Sequence, residues 1–284
     1  MTLRERIKSG LLEWGGALCI FLSLAFLLIL IVQILLQGLS SLDVQFLTSY
    51  PSRFPERSGV LSALAGTLWL MGLTAVISIP LGIMTAVFME EYLPRGFWTL
   101  ALRLNIFNLA GVPSILFGVL GLAVFVRWFE MGRSLFAGAL TISLMILPTI
   151  IVATSEALRS VPAAIRQAAF GVGATRRQVV WGQILPVAMP GIITGVILAL
   201  SRAIGEAAPL IMVGALTFVA FVPTNIFDSF TTLSIQIFSW ASRPQVEFQE
   251  VAAAGIILLL LITLGMNALA IYLRIRSSKL RSSL

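Results

Sequence analysis

The sequence predicts an all-α, polytopic membrane protein with six transmembrane helices, and three observations carry that prediction. Of the 284 residues, 58% are hydrophobic and 11% charged, where a soluble domain carries about 25% charged residues. Uncharged runs occupy 14–42, 58–89, 104–126, 134–155, 178–201, 207–227 and 251–273, each long enough for the roughly 18–20 residues that cross a hydrocarbon core. The third observation is the placement of Lys and Arg, which collect on the cytoplasmic side of membranes. With six spans and a cytoplasmic start, 13 fall in inner segments and 5 in outer ones; treating "RAIGE" (202–206) as a surface loop makes seven spans and a 10 to 9 split. The bias survives only with six.

The N-terminal "MTLRERIKSGLLEW" is basic like the first region of a signal peptide. The apolar stretch behind it is too long for a signal core and lacks a small-residue cleavage site, so it reads as a retained first span near 14–37. Leu3, Ile7 and Leu11 recur at four-residue spacing and predict a short interfacial helix ahead of it. The second span, near 60–88, is long and holds Pro80, which predicts a kink or strong tilt. The third, near 104–126, contains "GVPS" (111–114), where Pro113 predicts a kink. The fourth lies near 135–155 and the fifth near 187–215. Segment 216–249 is placed outside. Its Phe218, Phe221, Phe227, Phe230, Phe238 and Trp240 suit an interface-hugging or short re-entrant element. A sixth span near 250–273 leads into a basic cytoplasmic tail, 274–284.

Composition also excludes whole classes of function. The chain has no histidine, so no Ser/His/Asp or Cys/His catalytic arrangement exists. Its single cysteine, Cys19, lies in the first apolar run, which excludes internal disulfides and Cys-based metal sites. No G-x-x-x-x-G-K-[ST] phosphate loop is present; the only lysines are Lys8 and Lys279. ATP hydrolysis by that machinery is therefore excluded, and the chain reads as no enzyme. The net charge of +7 follows from the topology rule and does not call for nucleic acid.

The longest cytoplasmic segment, "EALRSVPAAIRQAAFGVGATRRQVVWGQILPVAMPG" (156–191), predicts two short amphipathic helices. Ser160 and Pro162 suit the first helix's start, Gly171 and Gly173 form an elbow, and "ATRRQVVWGQIL" runs on to Pro186. Patterning alone leaves two readings: a connector on the membrane surface, or a knob that docks a cytoplasmic partner.

Arg202 and Glu206 interrupt a run that otherwise avoids charge. A charge inside a span costs about 2.5–3.5 kcal/mol on insertion scales and is normally kept for function. The fifteen residues from Val187 to Arg202 make about 22 Å of helix, which places Arg202 past the midplane toward the outside and Glu206 one turn higher. Gly191, Gly195, Ala199, Ala203 and Ala207 make a stripe of small residues beside them, suited to close helix packing. Two readings stand here as well. The charges satisfy each other while Arg202 snorkels outward, or Arg202 is a cationic point on an anion path. A guanidinium matches phosphate geometry, and Glu206, competing for its donors, keeps the hold weak.

"QAAFGVGATRRQVVWGQILP" resembles the coupling-loop signature of ABC importer permeases, with Ala168, Ala169, Gly173, Leu185 and Pro186 at matching positions. Gln167 stands where that family usually has Glu, and Gln183 where it usually has Ile. "GTLWLMGLTAVISIPLGIMTAVFMEEY" (66–92), "NLAGVPSILFGVLGL" (108–122), "ILALSRAIGEAAPLIMVGA" (197–215) and "AAAGIILLLLITLGMNALAIYLR" (252–274) resemble, in the same order, the PstA-type permeases of phosphate ABC importers. The resemblance implies a type I importer permease fold in the inner membrane. Residues 1–58 would precede a permease core at 59–273, with an ATPase-coupling loop at 156–186. It implies four kinds of partner: a second permease of PstC type, two PstB-type ATPases that bind ATP and Mg, a PstS-type phosphate-binding protein outside, and the lipid bilayer. No cofactor is expected on this chain. Arg202 and Glu206 match that family's fifth-span motif. A permease for sulfate or molybdate, or a self-sufficient carrier with Glu206 as proton-coupling group, remain the alternatives.

Overall fold

A computed structural model of the chain describes the backbone of residues 3–94 and 96–282 and the side chains of 14–94 and 96–275. Among the described residues there is no strand. Five helical stretches are long and apolar enough to cross a membrane, and a sharply bent pair brings them to six when it is counted as one span.

The first helix, α1 (Leu3–Gly38), is continuous; the amphipathic spacing of Leu3, Ile7 and Leu11 lies outside the described side chains. Its apolar side chains are exposed for most of its length, and it meets the bundle at its end. There a Cβ on Gly38 would stand 2.6 Å from the backbone of Ala253. A short helix, α2 (Val44–Thr48), follows, its first turn capped by Asp43, which accepts from the Phe46 amide at 2.7 Å.

The core is built by three helices: α3 (Leu61–Val87), α6 (Leu135–Arg159) and α9 (Leu185–Ile204). Leu70, Leu135, Ile142, Ile150, Leu158, Ile184 and Ile192 are fully buried between them. Lipid tails are as apolar as these side chains, so the association rests on close approach and interhelical hydrogen bonds. The small-residue stripe supplies the close approach. A Cβ on Gly191 would stand 2.9 Å from the Ala157 Cβ, and one on Gly195 2.4 Å from the Ala153 Cβ. Ala199 and Ala203 continue the stripe and are buried. Between α3 and α6, Thr74 donates to the Ala139 carbonyl at 3.4 Å and Ser143 to the Thr74 carbonyl at 3.5 Å.

Two spans differ from the sequence expectation, and the end of α3 adds a turn that the sequence does not announce. Helix α3 runs through Pro80 without ending and then widens into a π turn, Phe88–Tyr92. The third span is broken rather than kinked: α4 (Phe97–Ala110) and α5 (Ser114–Gly121, continued as a π turn to Trp128) meet at 98°. Gly111 ends one helix and Pro113 caps the next. A stop followed by a residue that cannot supply the helical N–H makes a corner.

The fifth span is displaced along the chain. α8 (Arg176–Val179) passes through a π turn, Val180–Ile184, directly into α9, so the expected second loop helix is the beginning of the span itself. The wider turn leaves room for the Pro186 ring, which would otherwise meet the carbonyl four residues back. The span stops at Ile204, short of the expected residue 215, and a separate α10 (Ala208–Val213) follows. Gly205 caps the helix, and Pro209, which has no N–H for the Gly205 carbonyl, stands in the first turn of α10, where proline is tolerated.

Segment 216–249 folds back into the bundle at the end opposite α7 (Ala163–Gly171). Of its seven aromatics, Phe230, Trp240 and Phe248 are buried, whereas Phe218, Phe221, Phe227 and Phe238 remain exposed. Helix α11 (Leu233–Ala241) packs against α3 and against the last helix, α12 (Val246–Ser282). A Cβ on Gly66 would run into the Thr231 carbonyl, and Thr67 accepts from the Leu233 amide at 2.9 Å. Buried Gln236, with its amide oriented to suit both neighbours, donates to the Thr217 carbonyl at 3.2 Å and accepts from Trp240 Nε1 at 3.1 Å.

Candidate functional site

Arg202 lies in the last turn of α9 and Glu206 just beyond its end, so the two charges flank a break in the fifth span. Their separation, Nε to Oε1, is 3.7 Å, too long for a strong charge-assisted hydrogen bond. The Arg202 side chain is 66% exposed and that of Glu206 19% exposed. Neighbours fix the backbone here. Ser201 donates to the Thr263 carbonyl of α12 at 3.4 Å, and Ser234 of α11 donates to the Glu206 carbonyl at 3.2 Å. A cation in the final helical turn is also favoured by the partial negative charge there. The result is a planar donor fork on a helix end, held loosely by one mostly covered carboxylate. It can offer paired donors to an oxyanion and release it.

The loop expected at 156–186 forms the other end of the bundle. Ser160 closes α6 rather than opening the next helix, bonding back to the Ala157 carbonyl at 2.8 Å. Helix α7 starts after Pro162. Gly173 has φ +81°, which fits an elbow that most side chains would strain. Thr175 and Gln178 form a reciprocal capping box that starts α8. Of the residues singled out from sequence, Gln167, Ala168, Gly173 and Pro186 are exposed, Ala169 is partly buried and Leu185 is in the core. Phe170, Val172 and Trp181 stand exposed beside them, Val172 at 85%. Uncovered apolar side chains at this elbow suit contact with either a membrane surface or a partner.

Sequence reasoning overlooked the residues beneath this loop. Glu90 and Glu91, in the π turn that ends α3, bind arginines from three elements. Arg103 of α4 reaches Glu90 at 2.9 Å, Arg159 at the end of α6 grips it at 3.0 and 3.1 Å, and Arg166 of α7 meets Glu91 at 2.7 Å. The available signal was "MEEY" itself: two adjacent carboxylates at a span's end, in a chain with six arginines in the next two inner segments.

Comparison with known proteins places the chain in a family. Residues 78–278 match the family model of the binding-protein-dependent transport system inner membrane component. A probable ABC transporter permease protein, YqgI of Bacillus subtilis (strain 168), is 33% identical over 264 residues, covering 89% of this chain and 90% of that one. The phosphate transport system permease protein PstA 1 of Mycobacterium tuberculosis (strain ATCC 25618 / H37Rv) is 33% identical over 75% of this chain and 71% of its own length. In fold, the chain resembles one from a bacterial alginate ABC transporter, with a TM-score of 0.67, 18% identity and coverage of 94% and 95%. A chain of the MetNI methionine ABC transporter, inward facing, gives a TM-score of 0.54 over 76% of this chain and 94% of that one. The chain belongs to the binding-protein-dependent transport system inner membrane component family and is a multi-pass permease subunit of an ABC importer.

Proposed function

We propose that this permease moves inorganic phosphate into the cytoplasm, with Arg202 on the path and Glu206 weakening its hold. The observation that carries the reading is the guanidinium of Arg202, 66% exposed at a break in the span and tied only loosely at 3.7 Å. Similarity to permeases named for phosphate transport supports the choice of anion. Loop 156–186, with Gln167, Ala168, Ala169, Gly173, Leu185 and Pro186, docks a partner ATPase that binds ATP and Mg. The remaining partners are a second permease of PstC type and a PstS-type binding protein outside. Both termini face the cytoplasm, because 13 of the 18 Lys and Arg outside the spans then lie inside. A reporter fused after Leu284 checks this, and an external reading overturns the orientation.

Substrate identity is tested by uptake of labelled phosphate into vesicles that contain the assembled complex, ATP and the binding protein. Unlabelled phosphate competes, whereas sulfate and molybdate do not. Absence of phosphate uptake, with uptake of labelled sulfate or molybdate under the same conditions, would assign the permease to that oxyanion instead.

A further inference from the structure

Three consecutive side chains at the end of α3 each hold an arginine from a different part of the chain. Glu90 takes Arg103 of α4 and Arg159 of α6, Glu91 takes Arg166 of α7, and the Tyr92 ring lies 5.5 Å from the Arg176 guanidinium at the start of α8. The π turn makes this possible, since its wider winding ends α3 with all three side chains directed at the loop end.

These are not passing surface contacts. The Glu90 and Glu91 side chains are 8% and 11% exposed, and a carboxylate so covered is held by its partners because it cannot be left alone. Arg159 grips Glu90 with two nitrogens, which fixes orientation as well as distance. Arg166 is bound on two sides: besides Glu91 it donates to the Leu158 carbonyl at 2.9 Å, at the end of α6. A displacement of α7 therefore reaches both α3 and α6 through one guanidinium. Next to the cluster, a cavity of about 320 Å³ lined by Glu90, Gly96, Thr99, Arg103 and Arg159 leaves α4 room to shift while its Arg103 stays attached.

We propose that Glu91 and Glu90 are positioning residues for energy coupling. In this role Glu91 passes movement of α7 to α3 through Arg166, and Glu90 carries α4 and the end of α6 along with it. The proposal rests on the docking role assigned above to loop 156–186. Neither carboxylate touches the substrate or ATP in this scheme; both set how far the spans follow the loop.

The test is Glu91→Gln, which keeps the shape and removes the charge, with Glu91→Asp as the conservative counterpart. The complete complex is reconstituted in vesicles, and phosphate accumulated and ATP hydrolysed are measured on the same sample. The expected result is an assembled Glu91→Gln complex in which transport per ATP falls roughly fivefold or more, the size of ordinary coupling between distant sites. Glu91→Asp recovers much of that ratio. A structural tie would change the amount of complex and leave the ratio alone. An unchanged ratio in Glu91→Gln, or a loss confined to the amount of complex, overturns the proposal. Wild-type vesicles that transport without the ATPase would instead defeat the docking reading on which it rests.

Discussion

Neutralising Arg202 and Glu206, singly and together, separates a path residue from a structural tie. At 3.7 Å two unit charges attract by about 1 kcal/mol in water and about 4–5 kcal/mol at an effective dielectric of 20. The Arg202 side chain is 66% exposed, which screens the pair toward the surface range of about 0–1 kcal/mol. Losing that contact leaves most of a stability margin of roughly 5–15 kcal/mol. Arg202→Gln therefore assembles in normal amount and fails to move phosphate. Arg202→Lys keeps the charge, loses the planar fork and shows a partial defect. Glu206→Gln also lowers transport, for the opposite reason, because the anion is now held too tightly. The assay is paired: complex recovered from the membrane, and labelled phosphate taken up by vesicles holding equal amounts of it. The double variant Arg202→Gln with Glu206→Gln assembles and stays inactive. Single variants that deplete the complex, with transport restored in the double variant, would refute the reasoning.

Three further changes address the rest of the molecule. Gly173→Asp places a charge at an exposed elbow with φ +81° and no neighbouring atom within 4 Å, so membrane insertion persists while ATPase co-purification or transport-linked hydrolysis is lost; intact assembly and transport would remove the docking role. Gly195→Ala brings a methyl group 2.4 Å from the Ala153 Cβ, forcing α6 and α9 apart at about 1–3 kcal/mol. Thermal unfolding in detergent reads that loss, and Ala153→Gly restores it; an unaltered single variant contradicts the packing. The amides of Asn225 and Thr224 hold the Asp228 carboxyl below its usual range, and the carbonyls of Asp228 and Ile226 accept from the first amides of α6. The stabilisation is present above the ordinary carboxylate range and is lost as pH falls through the lowered pKa. Proteolysis at 224–228 should rise in that acid window in wild type and not in Asp228→Asn, whereas parallel profiles would argue against this cap.

Most of the architecture is legible in the sequence because membrane spans announce themselves by length and lack of charge. The pattern was weaker where the chain turns inside an apolar run. Gly111 with Pro113, and Gly205 with Pro209, end helices, yet hydropathy alone runs straight across both pairs. Arg202 and Glu206 were conspicuous as charges among apolar residues; that a helix end lies between them was not, and it changes their geometry from one face of a helix to the two sides of a break. Glu90 and Glu91 went unnoticed for a different reason. Their partners stand 13, 69 and 75 residues away in sequence, and no local periodicity reports such distant pairs.

The proposed role, half of a gate opened by a partner's ATPase, is read by changing the energy source. Purified chain is placed in vesicles alone under a proton or sodium gradient, and in parallel as the complete complex with ATP inside and phosphate-loaded binding protein outside. ATPase-driven transport gives accumulation only in the second preparation, abolished when the ATPase is omitted. Accumulation by the chain alone, driven by the gradient, would contradict it.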